Sequence, residues 1–253
     1  MKVIRIRGHK KSFFGHSIPM LALLGVLAIA LVGLQLSQKG SVSVLGPIVP
    51  GPLTGHTFAI DPGHGGEDGG AVGPSGTLEA PLNLSVAGYL AGELRSRGAN
   101  IILTREDDDA LAEGKMEDLR KRREILTSEG LTASISVHMN KHTKPDANGP
   151  RLFYCQGSEV GKALATLVLH NIEDALGRKQ TAPFVGDYFV IKGEGVPCIL
   201  VECGFLSNPS DEALLLTEDH QRLLARCIAD GLEAYFTAQE NLPSMTYTLT
   251  AGP

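Results

Sequence analysis

Hydrophobic and polar positions along this chain change period several times, and each change marks an element. Leu82, Val86, Leu90 and Leu94 recur every four residues, with Ala87 and Ala91 beside them. That spacing lines one face of an amphipathic helix. Pro81 suits the first turn of this helix and Gly98 its end. Residues 160–176 carry a second stripe, Leu164, Leu167, Val168 and Ile172, stopped by Gly177. Residues 118–129 read as a charged helix and 219–236 as a closing one. Between them lie short apolar runs of strand length: 58–60, 101–104, 132–137, 152–154, 188–191 and 198–201. Strands alternating with helices predict an α/β fold, a mostly parallel sheet covered by helices.

The N-terminus departs from this rhythm. Residues 18–36 contain no formal charge and are rich in Leu, Ala, Val and Ile. Nineteen residues at 1.5 Å each reach roughly 28 Å, close to the thickness of a bilayer core. The basic stretch before them predicts that Met1 stays in the cytoplasm and the rest is exported. A cleaved signal peptide is the rival reading, but Leu34-Gln35-Leu36-Ser37 offers no small-x-small cleavage site. The expected organisation is a cytoplasmic basic segment (1–17), a transmembrane anchor (18–36), a linker (37–56), a catalytic domain (57–238) and a tail (239–253). Pro47, Pro50 and Pro52 mark the linker as extended.

Charge sharpens the division. Six of the 23 Lys and Arg residues lie in residues 1–56, which hold no acid; the remainder carries 17 cations against 28 acids, a net of −11. A domain this acidic is a poor nucleic-acid binder. Its length suffices for one sizeable core. The four cysteines, 155, 198, 203 and 227, make no CxxC. Cys198 and Cys203 are five apart on one strand, so their side chains face opposite ways and cannot bridge. Buried free thiols are one reading; a disulfide using Cys155 or Cys227 stays open in an exported domain.

Four polar residues stand at strand ends or Gly-rich turns, where open α/β sheets place ligands. His64 follows Phe58-Ala59-Ile60 inside Gly63-His64-Gly65-Gly66. His138 ends one apolar run, Glu202 another, and Glu79 precedes the first helix. Each has a plainer reading. Glu79 can simply favour a helix N-terminus. Glu202 is costly to bury unless paired, with Arg105 for example, or bound to metal. The Gly-rich loop could cradle phosphate, but it lacks both common phosphate-binding patterns. Two imidazoles and a carboxylate can hold a catalytic zinc with one position open. The spacing among the four is long and irregular, so it permits a metal site without forcing one.

Several separated motifs then occur in order. They are Ile60-Asp61-Pro62-Gly63-His64-Gly65-Gly66-Glu67-Asp68-Gly69-Gly70-Ala71, Leu78-Glu79 and Asn83-Leu84, Leu103-Thr104-Arg105, Ser134-Ile135-Ser136-Val137-His138-Met139-Asn140 and Val201-Glu202-Cys203-Gly204-Phe205-Leu206-Ser207-Asn208. Together they resemble the zinc-dependent N-acetylmuramoyl-L-alanine amidases over residues 57–236. The resemblance implies a twisted mixed sheet flanked by helices. It implies zinc bound by His64, Glu79 and His138, with Glu202 catalytic. Asp61 and Asn140 become supporting or turn-capping residues. The implied substrate is peptidoglycan, cut between N-acetylmuramic acid and the L-alanine of the stem peptide. The short anchored layout resembles the germination-specific spore-cortex subgroup, and whether an activator protein is needed stays open. Two other readings stand beside it: a cysteine peptidase or amidase using Cys203 or Cys198, and a non-catalytic wall-binding protein.

Overall fold

The structure, a computed structural model, describes residues 50–192 and 195–240. The anchor expected at 18–36 lies outside the described residues. Among those described, no helix is long and apolar enough to cross a membrane.

Six strands form one sheet: β1 (Thr57–Pro62), β2 (Asn100–Leu103), β3 (Ala133–Asn140), β4 (Arg151–Cys155), β5 (Phe184–Gly186) and β6 (Cys198–Phe205). Their spatial order is β2-β1-β3-β6-β4-β5. The first four of that order run parallel, β4 lies antiparallel to β6, and β5 is parallel to β4. The sheet is therefore mixed and mostly parallel. The helices are α1 (Glu79–Ser96), α2 (Lys115–Leu126), α3 (Glu159–Ala175), α4 (Pro209–Leu215) and α5 (Glu218–Glu240).

Strand alternation gives the sheet two unlike faces. Phe58, Ile60, Ile135, Val137, Ile199 and Val201 point to one face and meet the apolar stripes of α1, α3 and α5 in the main core. Ala59, Cys198 and Leu200 point to the other. There they form a smaller cluster with Leu126 of α2 and with Val190 and Ile191. Asp61, Ser136, His138 and Glu202 follow the same alternation onto this second face.

Two expectations need correction. Residues 188–191 are not a strand: Phe189–Ile191 is a 3-10 turn, and the strand is Phe184–Gly186 just before it. Val190 and Ile191 are buried in the smaller cluster, so their apolarity reflects packing rather than a ladder. Nor do the predicted elements include α4. Asn208 caps it by accepting from Ser210 and Asp211 N–H, and Pro209 fills its first turn.

Candidate active site

The Gly-rich segment after β1 and the start of α1 are laced together. Gly69 and Ala71 carbonyls accept from the N–H of Glu79, and Gly69 also from Ala80. These bonds satisfy amide donors that open a helix without an intrahelical partner. α1 has no side-chain cap. The Glu79 side chain returns the contact by accepting from Ala71 N–H at 2.8 Å.

Glu79 is the centre of the site. Its Oε1 accepts from Met139 N–H at 3.0 Å and from Asn83 Nδ2 at 3.1 Å. The same oxygen lies 2.9 Å from His138 Nδ1, while its Oε2 lies 3.2 Å from His64 Nε2. Met139 can donate there because the β3–β6 ladder shifts register between His138 and Asn140. One ligand atom from each of His64, Glu79 and His138 falls within 4.8 Å of the others, a grouping that can hold a metal ion. Burial would raise the Glu79 carboxyl, but hydrogen bonds and charge from both imidazoles outweigh it and hold the group well below the ordinary carboxylate range. Burial would lower the His64 imidazole, yet Glu79 and Asp68 outweigh it and raise it. A site that draws protons this way also draws cations.

Two glycines make the grouping sterically feasible. A Cβ on Gly63 would stand 2.1 Å from His138 Cε1, inside the ring's own space. A Cβ on Gly70 would stand 2.6 Å from Glu79 Oε2 and 2.8 Å from His64 Cδ2. The glycines thus admit the ligand side chains rather than a phosphate. His64 itself adopts φ +63°, the one non-glycine in the left-handed region among the described residues. Such a conformation persists only where its surroundings fix it.

A buried polar network fixes it. Arg122, only 2% exposed, donates to Asp61 Oδ1 at 2.8 Å, Pro62 O at 2.6 Å, His64 O at 2.5 Å and Asp118 Oδ2 at 2.6 Å. Asp61 also accepts from Thr104 and Ser136 hydroxyls, each at 2.7 Å. Arg105 donates to the carbonyls of Pro62, Gly63, Ala80 and Asp107. Two guanidinium groups therefore grip the backbone carbonyls from Pro62 to His64. The proposed Arg105–Glu202 pair does not form. Asp68 Oδ2 stands 3.1 Å from His64 Nδ1 and orients the ring from behind. Asn140 lies past the bulge, its carbonyl accepting from Leu206 N–H.

Nothing in the charge pattern singles out Arg122 from Arg120, Lys121 and Arg123. The signal was positional: Leu119, Arg122 and Leu126 fall on one helical stripe, so Arg122 occupies a core position of α2.

Glu202 faces His138 directly across the β3–β6 ladder. It is 8% exposed, and among the described residues its Oε2 has no hydrogen-bond partner. Burial pushes its carboxyl up to about 7. Neither strand ends at these polar residues: β3 continues to Asn140 and β6 to Phe205. A cavity of about 180 Å³ opens beside them. One wall is Lys115, Asp118 and Leu119 of α2, the other Tyr188, Phe189 and Val190 of the 3-10 turn, with His64, His138 and Glu202 in its lining. A buried, unpartnered carboxylate oxygen beside this ligand set suits a bound cation and a reactive water.

The thiols do not fit this chemistry. Cys203 lies on the opposite face in the main core, and burial pushes its thiol well up. Cys198 shares the face of Glu202 but sits four residues below it, with its thiol also pushed well up by burial.

The chain matches the profile of the N-acetylmuramoyl-L-alanine amidase family over residues 58–234. It is 34% identical over 204 residues to the germination-specific N-acetylmuramoyl-L-alanine amidase of Bacillus subtilis (strain 168), which spans 76% of this chain and 84% of that protein. Among solved structures it is similar to the CwlD amidase from Clostridioides difficile in complex with the GerS lipoprotein. That match has a TM-score of 0.70 and 29% identity, covering 72% of this chain and 99% of the other. It is also similar to an N-acetylmuramoyl-L-alanine amidase from Clostridium difficile 630, with a TM-score of 0.68 and 28% identity over 74% of this chain and 99% of the other.

Proposed function

This chain belongs to the N-acetylmuramoyl-L-alanine amidase family, and on that premise we propose how it works. It hydrolyses the amide bond between N-acetylmuramic acid and the L-alanine of the peptidoglycan stem peptide. His64, Glu79 and His138 would hold zinc, and Glu202 is the general base. The observation that carries this reading is the three-residue ligand grouping with the buried, unpartnered Glu202 oxygen beside it. Zinc bound there would supply Lewis acidity, making water acidic near neutral pH and polarising the scissile carbonyl.

The chain's own residues do the rest. Glu202 takes a proton from the attacking water at Oε2 and returns it to the departing amine nitrogen. Its carboxyl, raised by burial, is matched to a proton transfer near neutral pH. Asp68 fixes the His64 ring, and Arg122 and Arg105 fix the backbone that presents it. The α2 and 3-10 walls narrow the approach and limit bulk water around the reacting atoms.

The apolar, uncharged residues 18–36 and the basic residues before them support an anchored protein with its catalytic domain outside the membrane. The relative solved in complex with a lipoprotein supports a lipoprotein partner for this chain as well.

The test is hydrolysis of defined muropeptides by the full chain, with and without zinc, the products identified by mass. The expected products are a lactyl-terminated sugar and a free stem peptide with an N-terminal L-alanine. Chelation should abolish their release and zinc should restore it. Cleavage that survives removal of all divalent metal would overturn the zinc assignment.

A further inference from the structure

The antiparallel pairing of β4 with β6 runs Arg151 opposite Glu202, Leu152 opposite Val201, Phe153 opposite Leu200 and Tyr154 opposite Ile199. One more step in this register sets Cys155, the last residue of β4, against Cys198, the first of β6. Facing agrees with register. Phe153 and Leu200 are opposed and both belong to the smaller cluster, which also holds Cys198. Alternation returns Cys155 to that same face. We propose that Cys155 and Cys198 form a redox-labile disulfide across the β4–β6 pair.

The two thiols are also electrostatically in reach: a charge on Cys155 raises the Cys198 thiol further. Directly opposed residues on antiparallel strands hold their Cβ atoms about 4.5–5.5 Å apart. A relaxed disulfide wants about 3.5–4.5 Å. Closing the bond therefore draws the strands together slightly and leaves strain, which makes the link easier to reduce. Lability, rather than a permanent staple, is the consequence.

Access orders the chemistry. Cys155 is half-buried and lines an open cavity of about 680 Å³ with Ser158, Glu159 and Pro197, whereas Cys198 is 3% exposed. The Cys155 thiolate attacks a small-molecule disulfide such as oxidised glutathione and expels one thiolate. The Cys198 thiolate then attacks the Cys155 sulfur and expels the second. The protein loses two S–H groups, the oxidant gains both hydrogens as two thiols, and one S–S bond is exchanged for another. The second step is the slow one, because burial disfavours the Cys198 thiolate.

The link would matter to the site through what it encloses. Residues 155–198 include α3, β5 and the 3-10 turn whose Tyr188, Phe189 and Val190 form one wall of the cavity at Glu202. The bond ties together the two ends of the segment that carries this wall. Cys203 and Cys227 lie in the main core on the other face and take no part.

The experiment equilibrates the full chain with oxidised glutathione, then counts thiols after denaturation and maps peptides by mass without reduction. Two of the four thiols should disappear. A peptide pair joined at Cys155 and Cys198 should appear, and dithiothreitol should release it. The oxidised chain should also melt at a higher temperature than the reduced one. Cys155→Ser should prevent the loss of thiols, and Cys203→Ser should not. Four free thiols at equilibrium, a glutathione adduct stopped on Cys155, or a bridge using another cysteine would each overturn the proposal. Because mapping is done on the unmutated chain, a variant that misfolds leaves the answer intact.

Discussion

On one face of the sheet, Phe58, Ile60, Ile135, Val137, Ile199 and Val201 meet three helices in one hydrophobic cluster. On the other, Asp61, Ser136, His138 and Glu202 occupy the equivalent positions of the same strands, under one helix and a short 3-10 turn. The two faces are made by a single alternation, yet they are held by different physics. The apolar face gains from removing hydrocarbon from water and tolerates imperfect detail. The polar face loses free energy for every buried group it fails to match. Around Asp61 the matching is complete: each carboxylate oxygen has a hydroxyl, and Arg122 bridges it to the backbone near His64. Around Glu202 it is left incomplete. Stability and chemistry are thus assigned to opposite sides of one sheet, and within the polar side to a matched carboxylate, Asp61, and an unmatched one, Glu202.

The largest effect should come from the ligands. His64→Ala or His138→Ala is expected to lose bound zinc and reduce turnover to background while leaving the apolar face folded. Metal content and circular dichroism on the same sample check this. Retention of one zinc per chain by either variant would remove that histidine from the ligand set.

Arg122→Met comes next and should damage both sides of the comparison. Removing one partner of a buried ion pair costs about 3–5 kcal/mol, since Asp61 is left uncompensated. The carbonyls of Pro62 and His64 lose a donor as well, so zinc affinity should fall along with stability. Urea unfolding and zinc titration measure the two losses separately. Unchanged affinity in the folded fraction would show that Arg122 only supports the fold. The pair's pH dependence has a definite sign. Burial would raise Asp61, but Arg122, Thr104 and Ser136 outweigh it and lower it. Its stabilisation is therefore full above the ordinary carboxylate value and is lost as pH falls through the lower folded value.

Leu90→Ala sharpens the contrast from the apolar side. Leu90 is fully buried in α1. Its truncation should cost about 2–5 kcal/mol of stability. Turnover per folded molecule, measured well below the melting temperature, should stay near that of the unaltered chain. A fall in turnover comparable to the loss at Arg122 would mean that the two faces are not separable.

Much of this division was legible in the sequence. The stripe Leu82–Val86–Leu90–Leu94 gave α1, because a helix against a core repeats every 3.6 residues. The glycines around His64 marked a turn at the end of a strand, and Gly63 and Gly70 leave room there for the His138, Glu79 and His64 side chains. What stayed hidden depended on tertiary pairing. Tyr188–Phe189–Val190–Ile191 is too short a run for periodicity to separate a strand from a turn. Arg122 looked like one cation among four until the packing of α2 buried it. That Glu202 stands beside His138 is a fact of strand register, which no local pattern encodes.

Glu202→Gln tests the division of labour most directly, with zinc content and muropeptide turnover measured on one preparation. The account predicts about one zinc per chain, a melting temperature no lower than that of the unaltered protein, and turnover reduced by about 100-fold or more, the scale of general acid–base catalysis. It also predicts loss of the acidic limb of kcat/KM. That limb reports the deprotonated base, so activity in the unaltered enzyme falls as pH drops through it. It should lie at or below about 7, because burial sets Glu202 there and a neighbouring cation can only lower it. Loss of zinc from Glu202→Gln would make Glu202 a ligand, and near-normal turnover with zinc retained would place the base elsewhere.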